Sequence, residues 1–131
     1  MSKDLLFDVY SKAKNKNDID DELINFIDSI FPGKVEKVLD VIKKGITKYH
    51  YKPSNRVIWV ALGENCVHMI YPRLYCSCQD FYKNVVTQRK RDFCKHLVAQ
   101  TICEGLDDFN ELDLDDEDFH TLMEDLSLKF E

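Results

Sequence analysis

Residues 71 to 105 read YPRLYCSCQDFYKNVVTQRKRDFCKHLVAQTICEG, and the spacing of four residues within them decides how the rest of the chain is read. Cys76 and Cys78 are separated by one residue, fifteen residues follow, and Cys94 and His96 form a second pair of the same spacing. Three thiols and one imidazole therefore arrive as two short chelating pairs. Zinc takes four such ligands in a closed tetrahedron, and two close pairs with a spacer between them are the simplest way for a chain to supply them.

The backbone needed by each pair differs. In an extended segment side chains repeat every second residue, so Cys76 and Cys78 share one side of a strand. Two helical residues that are two apart do not share a face. The second pair is therefore expected to straddle a helix start, with Cys94 at or just before the first turn. Leu97, Val98, Thr101 and Ile102 continue as an apolar helix face, and Gly105 is the expected stop. Zinc with three thiolates and a neutral imidazole leaves a net charge of about −1, and Arg89, Lys90, Arg91 and Lys95 are near enough in sequence to balance it.

This arrangement, a C-x-C leaving a hairpin and a C-x-H opening a helix, resembles the SWIM-type zinc finger. Within that family the short chain and the run YCSC…CKHLVAQ resemble the small SWIM subunits of Shu-type recombination complexes. The likeness is strong over residues 56 to 106 and architectural elsewhere. It implies zinc on Cys76, Cys78, Cys94 and His96. It also implies a protein partner, a RecA-family recombinase paralogue, and a place in homologous recombination and DNA repair.

Other readings of the cysteines are weaker. Five cysteines, no apolar signal segment and an abundance of Lys and Asp argue against a disulfide framework. A catalytic Cys94 with His96 lacks a third group and leaves Cys76 and Cys78 unexplained. Cys66 and His68 form one more pair on one strand face, but a buried strand cysteine beside a half-buried histidine is commonplace.

At 131 residues with 44% hydrophobic content, one domain with a sizeable core is expected. No run approaches the roughly eighteen apolar residues of a membrane span, so the expectation is a soluble, intracellular protein, nuclear in a eukaryote or cytoplasmic in an archaeon. Charge is unevenly spread over the total of −6: residues 1 to 33 carry −3, residues 34 to 103 carry +8 and residues 104 to 131 carry −11. A basic middle beside an acidic tail points to a nucleic-acid face, an acidic interaction tail, or both folded together.

Periodicity fills in the remainder. Leu6, Val9, Tyr10 and Ala13 predict a helix over 3–14, with Ser2 as its cap. Leu23, Phe26, Ile27 and Ile30 predict a second over 20–30, broken by Phe31-Pro32-Gly33, and Val35, Val38, Leu39 and Ile42 a third that ends at Gly45. The period then changes. Residues 46–51, 56–62 and 66–71 read as strands, joined by a turn at Pro53-Ser54-Asn55 and a short loop at Gly63-Glu64-Asn65, with Trp59 as anchor. Phe81, Val85 and Val86 suggest a short helix inside the zinc spacer. The acidic run from Asp107 to Asp118 reads as a solvated helix start, followed by the stripe Phe119, Leu122, Met123, Leu126 and Phe130. An EF-hand on Asp113, Asp115, Glu117 and Glu124 is rejected, because Asp118 stands where the loop needs glycine.

The expected fold is α+β: N-terminal helices (1–45), a zinc module (46–106) with a small antiparallel hairpin or three-stranded sheet, and an acidic segment with a C-terminal helix (107–131). No phosphate-cradling loop or nucleophile motif points to an enzyme or a small-molecule substrate. Two binding roles remain. One is the zinc-bearing adaptor of a recombinase paralogue. The other is weak direct DNA contact through Arg73, Lys83, Arg89, Lys90, Arg91 and Lys95, with Tyr75, Phe81, Tyr82 and Phe93 nearby.

Overall fold

A computed structural model describes residues 2–62, 67–78, 81–89 and 93–121. Three helices come first: α1 (Ser2–Lys16), α2 (Asp21–Ile30) and α3 (Val35–Lys44). Leu6, Val9 and Ala13 of α1, Leu23 and Ile27 of α2 and Val38 of α3 are buried as the spacing requires, and in α3 the buried partner of Val38 is Val41, with Val35, Leu39 and Ile42 half-buried. Asp20 caps α2, its carboxylate accepting the Leu23 N–H at 2.9 Å, which satisfies one of the donors a helix start leaves orphaned. Gly45, at φ +114°, ends α3 and donates its N–H to the Val41 carbonyl at 3.1 Å.

The chain then becomes a sheet. Strands β1 (Ile46–Lys52), β2 (Arg56–Leu62), β3 (Val67–Tyr71) and the two-residue β4 (Tyr75–Cys76) form an antiparallel meander. A π-helical segment, Phe81–Thr87, follows β4, and then α4 (Lys95–Leu106). Every residue of α4 from His96 to Cys103 is buried, so this helix is the centre of the molecule rather than an amphipathic cover. α1 and α3 lie against it, and it joins them to the sheet face that carries Ile46, Trp59, Ala61 and Ile70. Burial of each large aliphatic side chain contributes about 1.5–3 kcal/mol, so Leu97, Val98 and Ile102 give α4 a large share of the core.

Three findings differ from the sequence-based expectation. First, Gly105 does not end α4. The helix runs on to Leu106, and Asp107 takes the left-handed conformation at φ +57°. Gly105 is instead a point of close approach, since a Cβ there would lie 2.8 Å from the Tyr10 carbonyl oxygen of α1.

Second, the acidic run does not begin as a helix. Residues Asn110–Asp115 form β5, which pairs in parallel with β1 and completes a five-stranded mixed sheet in the order β4-β3-β2-β1-β5. The register explains the choice: Lys48 faces Glu111, His50 faces Asp113 and Lys52 faces Asp115 on one side of the sheet, while Tyr49 faces Leu112 and Tyr51 faces Leu114 on the other. Basic residues of β1 thus alternate opposite acidic residues of β5, and the Lys48 ammonium itself lies over the Trp59 and Phe109 rings, 5.5 and 6.0 Å from their centres. Helical structure begins only at residues 116–121, where Asp116 accepts hydrogen bonds from the Ser54 hydroxyl and N–H at 2.7 and 3.2 Å.

Third, the outer face of the sheet has a core of its own. Tyr51, Ile58, Val60 and Met69 are buried there, with Tyr49, Val67, Leu114 and Phe119 against them. The rest of the expected C-terminal stripe, Leu122, Met123, Leu126 and Phe130, lies outside the described residues, as do the loop at 63–65, Cys66, Lys90 and Arg91. No described helix is long and apolar enough to cross a membrane.

Candidate metal centre

The first cysteine pair is set by β-pairing. Cys76 stands opposite Ile70, and Ser77 is tied to β3 twice: its N–H donates to the Met69 carbonyl at 2.9 Å and its hydroxyl accepts the Met69 N–H at 2.8 Å. With Ser77 held from one side, the flanking Cys76 and Cys78 project to the other. The chain then coils at once, the Phe81 N–H reaching Cys78 Sγ at 3.3 Å and the Gln88 N–H reaching the Lys83 carbonyl, five residues back, at 2.9 Å. Phe81 is buried, and its ring meets that of Tyr75 edge-on at 5.5 Å.

The second pair opens α4 as its spacing predicts. Cys94 is the N-cap, with extended backbone at φ −105° and ψ 171°. The preceding Phe93 is wedged edge-on against Phe31 at 5.4 Å, which fixes where the helix enters. His96 sits in the first turn with Nδ1 4.0 Å from Cys94 Sγ.

The four side chains converge. One ligand atom from each of Cys76, Cys78, Cys94 and His96 lies within 4.8 Å of every other, and the residues are between 0% and 6% exposed. A zinc ion with metal–sulfur bonds near 2.3 Å has ligand atoms about 3.8 Å apart along the tetrahedron edge. The cluster therefore needs to contract by no more than about 1 Å to close on the ion. With four buried protein donors to fill a tetrahedron, the geometry is that of a structural site.

Crowding sets the acid–base behaviour of the sulfurs. Hydrogen bonds from Cys76 and Cys94, helped by His96 and the Phe81 N–H, pull the Cys78 thiol down. The Cys76 thiol is pushed up, chiefly by its hydrogen bonding to Cys78 and Cys94 and then by burial. Burial is the main reason that Cys94 goes up. Metal binds the thiolate form, so a bound dication displaces the protons that the sulfurs hold.

Other candidates find different places. His68 is outside the four-residue cluster; its ring lies against that of His96 with centroids 4.4 Å apart. The pair that His68 makes with Cys66 in the sequence, set aside as commonplace, has its cysteine outside the described residues, and the β2–β3 register brings His68 beside a ligand. Arg73 is half-buried, ion-paired to Glu104 at 3.3 Å and set over the rings of Phe7 and Tyr10. That guanidinium is committed to the interior contacts of α1 and α4. Lys83 and Arg89 are exposed, as is Tyr82, and Lys95 is half-buried.

The chain is similar to proteins described as zinc finger SWIM domain-containing protein 7. The homologue from Dictyostelium discoideum is 29% identical over 96% of this chain and 84% of the relative, and the protein from Mus musculus is 26% identical over 94% of this chain and 83% of the relative. No protein-family profile and no solved structure matches. Donor set, enclosure and likeness agree: this is a zinc-binding site.

Proposed function

From the premise that the likeness to SWIM zinc finger proteins runs along nearly the whole chain, we propose that this protein is a non-catalytic zinc-bearing adaptor. In this reading it partners a RecA-family recombinase paralogue and supports homologous recombination and DNA repair. The observation that carries the reading is the closed, buried Cys3His cluster, in which every metal position is taken by protein and none is left for a substrate. Such a site works by holding elements together.

The elements in question are the β3–β4 hairpin and the start of α4. Metal on Cys76, Cys78, Cys94 and His96 ties them, and α4 is the helix on which α1 rests. The outward sides of α1 and α2 are the surface we assign to the partner, and Phe7 of α1 is 54% exposed. Zinc then acts at a distance, by keeping α1 in place.

Co-expression with a recombinase paralogue of the RecA type from the same organism tests this. A stable complex that is lost in His96→Ala, and damage sensitivity in cells lacking the protein, are the expected results. A monodisperse monomer that captures no such ATPase, together with unchanged damage tolerance, overturns the reading and leaves an interaction module of another kind.

A further inference from the structure

We propose that the outer edge of β5 is a strand-addition site for an extended segment of another protein that carries basic side chains at every second position. β5 is the terminal strand in the sheet order, and all six of its residues are exposed except the half-buried Leu114. Its backbone also turns the required groups outward. The Asp115 N–H donates to the Asp118 carboxylate at 3.2 Å instead of to β1. Since backbone groups alternate sides along a strand, those of Asp113 and Glu111 face the same outer edge. An edge of this kind is a template for pairing.

The side chains define the occupant. Glu111, Asp113 and Asp115 lie on one face of β5 and Leu112 and Leu114 on the other, with Leu112 48% exposed. On its inner side β5 has already selected a strand of matching chemistry: β1 reads Ile-Thr-Lys-Tyr-His-Tyr-Lys, with Lys48, His50 and Lys52 set against the three acids and Tyr49 and Tyr51 against the two leucines. A second strand on the outer side meets the same acids and the same leucines, so it is selected by the same rule, basic residues alternating with apolar ones. A second copy of β5 is excluded by that rule, because acid would face acid across the pair. Charged edges commonly serve to keep identical chains apart, and here the sign of the charge also names the chain that is admitted.

The inference does not depend on the recombinase reading, since the partner bearing the basic strand is defined by chemistry alone. The acids also face β1, so reversing them in the protein disturbs the sheet itself, and the decisive changes are made in the ligand. The probe is a synthetic peptide of roughly nine residues alternating Lys with Val, long enough to span the edge, added to the full zinc-loaded chain. Fluorescence anisotropy is expected to show binding, and amide hydrogen exchange is expected to slow at residues 111–115. Placing Pro at the centre of the peptide removes a ladder donor, and replacing Lys by Glu reverses the charge; each is expected to weaken binding by about tenfold or more. Asp113→Asn, which keeps the shape, is expected to weaken it by about threefold. Equal binding of the Lys peptide and its Pro form means surface charge without strand addition and overturns the proposal, as does unchanged exchange at 111–115.

Discussion

Arg73 and Glu104 meet at 3.3 Å across the junction between the turn that leads into the metal hairpin and the last turn of α4. Arg73 holds a left-handed backbone at φ +65°, which places its guanidinium over Phe7, 5.0 Å from the ring centre, and over Tyr10. Glu104 in turn accepts the Gln100 side-chain amide at 3.0 Å. One arginine thus links the zinc-bearing hairpin, α4 and α1.

Replacing Arg73 by Ala removes a partly buried ion pair and two cation–π contacts, and should cost about 1–2 kcal/mol. Arg73→Lys recovers only part of it, because an ammonium cannot stack flat on the rings. Urea unfolding of the zinc-loaded protein measures both; a neutral Arg73→Ala contradicts the linkage.

The metal prediction separates ligands from bystanders. Cys78→Ala and His96→Ala are expected to lose zinc and to loosen residues 71–78 and 93–105, since structural zinc supplies about 10–16 kcal/mol of apparent binding free energy in small modules. Cys103→Ala is expected to keep full zinc. Burial, with Asp108 second, pushes the Cys103 thiol up to about 12, so it should also resist alkylation near neutral pH in the folded chain. Elemental analysis of the three variants decides the matter, and full zinc in Cys78→Ala refutes the ligand set.

Gly105→Ala runs against helix propensity. In an open helix the change gains about 1 kcal/mol, yet here the new methyl meets the Tyr10 carbonyl oxygen at 2.8 Å and Ala13 Cβ at 3.0 Å. Backbone cannot swing aside as a side chain does, so overpacking of about 1–3 kcal/mol should prevail. A raised melting temperature for Gly105→Ala shows that α1 is not seated where the structure puts it.

Tyr51 makes stability depend on alkaline pH. Its buried hydroxyl finds no hydrogen-bond partner among the described residues, and burial first, then Tyr49 and Asp118, raises its pKa from 10.0 to about 12. Between these values the unfolded chain has released the phenolic proton and the folded chain still holds it. Fewer protons on the unfolded state means that stability falls as pH rises. This contribution is intact below pH 10 and lost progressively toward 12. Denaturation midpoints across that window should fall less steeply in Tyr51→Phe; identical slopes in the two proteins rule the assignment out.

Local chemistry determined much of this protein. Helix stripes, the glycine stop at Gly45, the hairpin strands and the Cys-x-Cys and Cys-x-His pairs are all statements about residues a few positions apart, where periodicity and ligand spacing act directly. The zinc site was legible because chelating pairs are local, and only their meeting is not. Long-range choices were decided by the tertiary structure. The acidic run became β5 by pairing with β1, where a basic residue stands opposite each of three acids, a match invisible to any window that does not hold both segments. Gly105 became a contact with α1 rather than a helix end because the two helices cross there. Arg73 meets Glu104, and the His68 ring lies against that of His96, contacts between segments that no local spacing could bring together.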